Sequence, residues 1–208
     1  MKTPPRLIRQ LCADKRAKLL IGLCLMTLCC AIYIGLQHIQ LRPPLVRTPC
    51  PVSALLPFDP RWTLPYLSMF ILIVIAWQLA PDRRELIHLG KILLGTEMLA
   101  WLFFLFFPTL CPRPPAPDAP AAYRLLIFVD APLNCFPCLH AALTLIAATS
   151  LRRHLSWLPA TLHLVTGAII TLWSGVILVS ILILRQHTAL DIAAGLAIAT
   201  ATLAIGKK

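Results

Sequence analysis

Long apolar runs separated by short polar segments dominate this 208-residue sequence. A helix that spans a membrane needs about 20 mostly apolar residues, and runs of about that length recur along the chain. They cover residues 19–36, 63–80, 86–107, 136–151, 158–184 and 189–205. The pattern therefore predicts an all-α integral membrane bundle of six transmembrane helices, formed by residues 19–208, after a basic amino-terminal segment at residues 1–18.

The composition supports a membrane protein. Apolar residues make up 59% of the chain and charged residues only 13%, with a mean hydropathy of +0.80. A soluble domain does not need this much apolar surface. The net charge of +11 is explained by membrane orientation and anionic headgroups, so we expect the bilayer as a partner and no nucleic acid.

The distribution of basic residues predicts the orientation of the spans. Alternate polar segments, at residues 1–18, 81–91, 152–156 and 207–208, hold 13 of the 19 Lys and Arg residues, whereas the other set holds 6. Cytoplasmic loops collect Lys and Arg, so both termini are predicted to be cytoplasmic. The first run could instead be a secretory signal, but no small-x-small cleavage site follows it. We expect a multi-pass protein of the bacterial inner (plasma) membrane.

Two histidines lie at the ends of predicted spans. In this orientation His140 and His187 begin the fourth and sixth spans on the outer side, and Asp191 follows His187 by four residues, one helical turn. Helix amino termini favour anions. Arg113 in the long outer loop and Arg185 beside His187 add guanidinium groups that suit phosphate oxygens. These residues predict a phosphate-ester site on the outer face.

Each of these residues also has an ordinary structural interpretation. A lone interfacial histidine usually contacts headgroups, Arg113 could be solvated, and Arg185 could be an interfacial anchor. Glu97 and His163 lie within predicted spans, where a polar contact between helices is favoured over catalysis.

The cysteines of the predicted outer side permit a disulfide in an oxidising compartment, although the sequence does not decide the pairing. They are Cys50, Cys111, Cys135 and Cys138. The Cys135-x-x-Cys138 spacing also admits a redox or metal interpretation, but a single such pair is not a ligand set.

Three stretches in order resemble the type 2 phosphatidic acid phosphatase superfamily, whose signatures are Lys-x6-Arg-Pro, Pro-Ser-Gly-His and Ser-Arg-x5-His-x3-Asp. The matching residues are PRP at 112–114, FPCLH at 136–140, and Ser180, His187 and Asp191 in the third stretch. Within this superfamily, the branch that contains inositol phosphorylceramide and sphingomyelin synthases is the more similar in sequence. The stretches that resemble it are FPCLH, RQHTALDIAAG and LLPFDPRWTLPYLSMF. The resemblance covers about residues 55–205, with its signatures within about 108–195.

The resemblance implies roles for the matched positions. His187 would be the nucleophile that forms a phosphohistidine, with Asp191 orienting its ring. His140 would protonate the leaving alcohol and then activate the acceptor. Arg113 would bind phosphate oxygens, and Cys138 and Ser180 occupy phosphate-binding positions. No metal or cofactor is implied.

The chain departs from the signatures at three positions. Phe106 replaces the first lysine, Cys138 replaces serine, and Ile181 replaces the arginine that follows Ser180. Arg185 is the nearest residue that could supply the missing charge from another direction.

Two functional classes follow from these observations. The first is a lipid-phosphate phosphatase or phosphotransferase of the outer leaflet. An alternative within this class is a phospholipid headgroup transferase that moves phosphoinositol or a similar headgroup onto a lipid alcohol such as ceramide or diacylglycerol. The second is a non-catalytic lipid-binding scaffold. The sequence decides neither the lipid nor the oligomeric state.

Overall fold

The computed structural model describes residues 6–39, 41–47 and 55–206. The described elements are, in chain order, α1 (Arg6–Cys12), α2 (Lys15–His38), β1 (Leu45–Val46), a 3-10 turn (Pro60–Trp62), α3 (Thr63–Gln78), α4 (Arg83–Phe106), β2 (Thr109–Leu110), α5 (Ala121–Val129), α6 (Leu139–His154), α7 (Ala160–Ile183) and α8 (Ala189–Ile205).

Each of the six predicted apolar runs overlaps one helix; these helices are α2, α3, α4, α6, α7 and α8. Among the described residues, four stretches are long and apolar enough to cross a membrane: Lys15–His38, Pro60–Gln78, Arg83–Phe106 and Ala160–Ile183. Helix α8 is apolar but shorter, and α6 has 16 residues. The fold is therefore a helical bundle with four helices of membrane-spanning length.

Helix α6 forms the centre of the bundle. It packs against α3, α4, α7 and α8, whereas α2 lies at the edge against α4 and α3. The buried face of α6 is rich in small residues, including Ala141, Ala142, Ala147 and Ala148. Small side chains let neighbouring helices approach closely.

The amino-terminal ends of α6 and α8 meet. The backbone N–H of Cys138 donates to the Asp191 carbonyl at 3.0 Å, and Gly195 lies against the Cys138 carbonyl oxygen, where a Cβ would clash. The absence of a side chain at Gly195 thus permits this crossing, which brings the segments that carry His140 and His187 together. We call this end of the bundle the site face.

A short parallel strand pair joins two loops at the site face. Leu45 pairs with Thr109 and Val46 with Leu110, and the N–H of Arg47 donates to the Leu110 carbonyl at 2.7 Å. The pairing positions Arg47 next to the loop that carries Cys111 and Arg113.

Candidate functional site

His187 lies in the loop between α7 and α8, outside the helix that follows. Its Nδ1 is 2.7 Å from the Cys135 carbonyl oxygen. A carbonyl can only accept a hydrogen bond, so Nδ1 carries the proton and Nε2 has the free lone pair. Burial lowers the pKa of His187, although the Cys135 carbonyl and the Asp191 charge act in the opposite direction. The ring is therefore neutral near pH 7 and its Nε2 is available as a nucleophile.

His140 is the second residue of α6, and its ring lies close to that of His187, with 6.4 Å between centroids. Tyr66 of α3 stacks on His140 at a centroid distance of 4.0 Å and places its hydroxyl 3.1 Å from Nδ1. Neutral His140 can accept from the Tyr66 hydroxyl at Nδ1, and protonated His140 can donate to it. Only the protonated ring can give a proton from Nε2 and remain a neutral imidazole, so a proton donor at this position is the protonated form of His140.

Asp191 does not orient His187 as predicted. The prediction placed both residues on one helix, but α8 begins at Ala189 with Thr188 as its N-cap, and Asp191 completes a capping box. The Asp191 carboxylate accepts hydrogen bonds from the Thr188 N–H at 2.6 Å and from its hydroxyl at 2.8 Å, and it pairs with Arg47 at 3.0 Å. The ring of His187 is instead held by the Cys135 carbonyl.

The sequence contained a signal for this cap. Thr188-x-x-Asp191 before an apolar run is the Ser/Thr-x-x-Asp/Glu pattern of a capping box. This capping signal was missed because the spacing of four residues between His187 and Asp191 was interpreted as one turn of a helix that carries both residues.

A small cavity of about 80 Å³ beside His187, which we call the basic cavity, is lined by two arginines. Arg47 and Arg185 face it together with His187 and Thr188. Arg47 was not predicted as a site residue, since only the loop pairing brings it here from a distant segment. Arg185 was predicted as a source of positive charge for phosphate; it lines this cavity and also donates to the Leu56 carbonyl at 2.7 Å.

Arg185 has a backbone conformation that normally favours glycine. Its φ is 55°. The N–H of Arg185 donates to Leu182 O and that of Gln186 to Ile181 O, which is the Schellman pattern at the carboxyl end of α7. A non-glycine residue in the left-handed region costs about 1 kcal/mol or more.

Arg113 is largely buried, with 11% of its side chain exposed, and it is paired rather than solvated. Its guanidinium donates to the Asp130 carboxylate at 2.9 Å, to the Asp130 carbonyl at 2.5 Å and to Ala131 O at 3.4 Å. Tyr33 and Gln37 of α2 also donate to Asp130, each at 2.9 Å. Asp130 was not predicted as a site residue, and it ties Arg113 to the first long helix.

Several buried donors around the two histidines have no hydrogen-bond partner among the described residues. They are Arg47 Nε, Arg113 Nε, Asn134 Nδ2 and His140 Nε2. Leaving a buried donor unpaired is costly, and such groups call for an explanation. An anionic ligand at the site face would satisfy donors of this kind.

A second cavity of about 310 Å³, which we call the apolar cavity, extends from the site face between α2, α3, α4 and α6. Asn134, His140 and His187 line one end of it, and Lys18, Trp77 and Gln78 line the other. His187 lines both cavities. The site therefore has a basic side and an apolar side that meet at one imidazole.

Two predicted phosphate ligands have other partners. The Cys138 thiol is the N-cap of α6 and accepts from the Ala141 N–H at 3.4 Å, and burial raises its pKa. Ser180 is buried within α7, where its hydroxyl donates to Ile177 O at 2.6 Å. Neither side chain lines the two cavities. This geometry favours structural roles for both residues.

Cys111, Cys135 and Cys138 are free thiols, and Cys50 lies outside the described residues. Cys111 and Cys135 are neighbours, and hydrogen bonding with Cys111 raises the pKa of the Cys135 thiol. Within the described part of the chain, no group of three His, Cys, Asp or Glu side chains is placed to hold a metal ion.

Glu97 and His163 differ in their surroundings. The ring of His163 is 3.3 Å from Leu155 O and lines neither cavity, which agrees with a structural contact. Glu97 lines the apolar cavity beside Cys29.

Comparison of the chain with protein families, curated proteins and solved structures finds no match. A functional proposal therefore depends on the residues and geometry of the site.

Proposed function

We propose that the protein is a membrane-embedded lipid-phosphate phosphatase or phosphotransferase, of the kind that its signatures resemble. The observation that carries the proposal is the position of His187 between the basic cavity and the apolar cavity. A lipid phosphate has the matching pair of properties, an anionic head and a hydrocarbon tail. A non-catalytic scaffold would not need a neutral imidazole with a free Nε2 beside a second histidine.

In the first step, Nε2 of His187 attacks phosphorus, forming an N–P bond while the bond from phosphorus to the alkoxy oxygen breaks. His140 enters this step protonated on both ring nitrogens, donates its Nε2–H proton to the leaving oxygen and remains as a neutral imidazole, and the free lipid alcohol departs. Arg47 and Arg185 gather the negative charge that the phosphoryl oxygens develop.

In the second step, an acceptor hydroxyl attacks phosphorus and the N–P bond breaks, which returns His187 to its neutral form. His140 takes the proton of the acceptor as a base. With water as acceptor the product is inorganic phosphate, and with a lipid alcohol it is a new phosphate ester.

We propose further that six helices cross the membrane and that the site face opens to the outer leaflet. The basic asymmetry of 13 to 6 residues supports this orientation. Short α6 and α8 would complete the six spans, next to the four helices of spanning length.

The test is turnover of a lipid phosphate by the purified protein in detergent. His187→Ala should abolish phosphate release, because it removes the nucleophile. His163→Ala is the matched control, since it also removes a helix-bundle histidine but from outside both cavities, and it should retain activity.

Orthovanadate, which mimics pentacoordinate phosphorus, should inhibit the wild type, and a chelator should not. Acid-labile phosphate trapped on the wild-type protein, and absent from His187→Ala, would identify the phosphohistidine. Equal turnover by His187→Ala and wild type would contradict the mechanism.

A further inference from the structure

We infer that the apolar cavity binds the hydrocarbon tail of the substrate and that its length gives the protein a preference for long tails; the inference rests on the proposed function.

The cavity begins at the reacting groups. His140 and His187 line its first end, next to buried Asn134, whose Nδ2 has no partner within the described part of the chain. A phosphate held between the two imidazoles would therefore have its ester oxygen at the mouth of the apolar cavity. The tail attached to that oxygen would continue into it.

The cavity is longer than one leaflet is thick. Its lining residues on α2 run from Lys18 to Tyr33, a rise of about 22 Å at 1.5 Å per residue. Half of the hydrocarbon core of a bilayer is about 15 Å. A tail that fills the cavity would reach beyond the bilayer midplane, which a short chain cannot do.

A fixed indole closes the far end. Trp77 Nε1 donates to Lys18 O at 2.9 Å, and the ammonium of Lys18 donates to Gln10 O and Gln78 O at 2.6 Å each. The indole packs against Gly22, where a Cβ would lie only 2.9 Å from Nε1. These bonds hold Trp77 in place, so the cavity has a defined end.

The wall formed by α2 also faces the surroundings of the bundle. Leu19, Leu23 and Met26 line the cavity, yet they are 58%, 57% and 42% exposed. Since α2 is one of the helices of spanning length, that exposed side would face lipid. A lipid tail can therefore enter sideways from the bilayer, which favours a lipid over a water-soluble ligand as the occupant.

The test compares two tryptophan variants of α2 on alkyl phosphates of different length. Met26→Trp places bulk inside the cavity at a partly exposed position that does not overpack the core. Leu28→Trp is the matched control, because Leu28 is 49% exposed on the same helix and does not line the cavity. The substrates are hexadecyl phosphate, octyl phosphate and the tailless para-nitrophenyl phosphate.

Met26→Trp should lower kcat/KM for hexadecyl phosphate by about tenfold or more, the scale on which pockets discriminate hydrocarbon fit. It should leave para-nitrophenyl phosphate unchanged and affect octyl phosphate less. Leu28→Trp should leave all three unchanged. Unchanged kinetics of Met26→Trp on hexadecyl phosphate would overturn the tail site while the proposed function stands.

Crosslinking provides a readout that does not need turnover. Hexadecyl phosphate with a diazirine near the chain end should label wild-type residues near Trp77, and Met26→Trp should lose that label while Leu28→Trp keeps it. Labelling near Trp77 without any phosphate release would retain the tail site and remove the proposed function. Labelling spread evenly over the outside of the bundle would overturn the tail site.

Discussion

At the scale of single residues, Tyr66 is the hydrogen-bond partner of His140 Nδ1, and by accepting from that nitrogen it would stabilise the protonated ring that acts as the acid. Tyr66→Phe keeps the stacked ring and removes only the hydroxyl that lies 3.1 Å from Nδ1. Turnover of an alkyl phosphate should fall by about ten- to a hundredfold, because general-acid help to the leaving alcohol weakens. Hydrolysis of para-nitrophenyl phosphate, whose leaving group needs no proton, should change little. An equal loss with both substrates would contradict this role.

The pH profile follows from His187. Only its neutral ring can attack phosphorus, so activity is lost as pH falls through its pKa. Because burial lowers the pKa of His187, the acid limb of kcat/KM should lie below the usual histidine value of about 6.5.

An Asp191 variant provides a matched test of this pH dependence. Its charge raises the pKa of His187, so Asp191→Asn should move the acid limb of the remaining activity to lower pH. An acid limb above 6.5 in the wild type, or an upward shift in the variant, would exclude His187 as the group that titrates.

Substitutions of Arg185 distinguish its effect on the stability of the fold from its effect on turnover. Arg185→Gly should relieve the left-handed backbone cost of about 1 kcal/mol, which offsets the lost hydrogen bond to Leu56 of about the same size. Arg185→Ala loses the same bond but keeps the backbone cost, so it should unfold at a lower temperature than Arg185→Gly.

Both variants should lose turnover by about 10²–10³-fold, and Arg185→Lys should lose less because it keeps the charge. Thermal unfolding and kinetics in detergent measure the two effects. Wild-type rates for Arg185→Gly would remove this guanidinium from the site.

Sequence reasoning identified the two histidines because ionisable residues at the ends of apolar runs are rare and costly. It missed Arg47, Asp130 and Asn134, because loop pairing and burial, which no local pattern encodes, bring these residues to the site. It also assigned Asp191 the wrong partner, since the exact start of α8 decides whether Asp191 faces His187 or caps the helix. Helix boundaries are the least predictable feature of a sequence.

At the scale of elements, the crossing of α6 and α8 depends on Gly195. Gly195→Ala should be strongly destabilising, because its Cβ would meet the Cys138 carbonyl oxygen and push the start of α6 away. Gly175→Ala is the matched control, since no atom of residues 6–39, 41–47 or 55–206 lies within 4 Å of a Cβ there, apart from the helix's own nearby backbone. Alanine in that helix should be neutral or stabilise by up to about 1 kcal/mol.

Thermal unfolding measures both glycine variants, and phosphate release should fall in Gly195→Ala because His140 moves with α6. If Gly195→Ala were as stable as Gly175→Ala, the close crossing would not exist as described.

The helices themselves were largely predictable, since the length of an apolar run and the polar residues at its ends locate a membrane helix. Helix α5 was not predicted, because residues 108–135 were interpreted as a loop rich in proline. Its exposed Leu125 and Phe128 lie next to buried Tyr123 and Leu126, a helical alternation too short to stand out.

At the scale of the whole molecule, orientation is open to a labelling experiment. In a cysteine-free background, Asp118→Cys should react with a membrane-impermeant maleimide from outside the cell. Ser156→Cys, which is also exposed but lies in the opposite set of loops, should react only after permeabilisation. The reverse pattern would place the site face in the cytoplasm.

The shortness of α6 and α8 has a consequence for how the protein would sit in a bilayer. Helices of 16 and 17 residues are about 24 and 26 Å long, less than the hydrocarbon thickness of about 30 Å. Hydrophobic mismatch of this kind is relieved by local thinning of the bilayer around the shorter helices. With the other ends of α6 and α8 level with the far interface, His140 would lie below the headgroups of an undisturbed leaflet. The thinner bilayer around α6 would bring the phosphate groups of neighbouring lipids closer to the depth of His140 before any of these lipids binds.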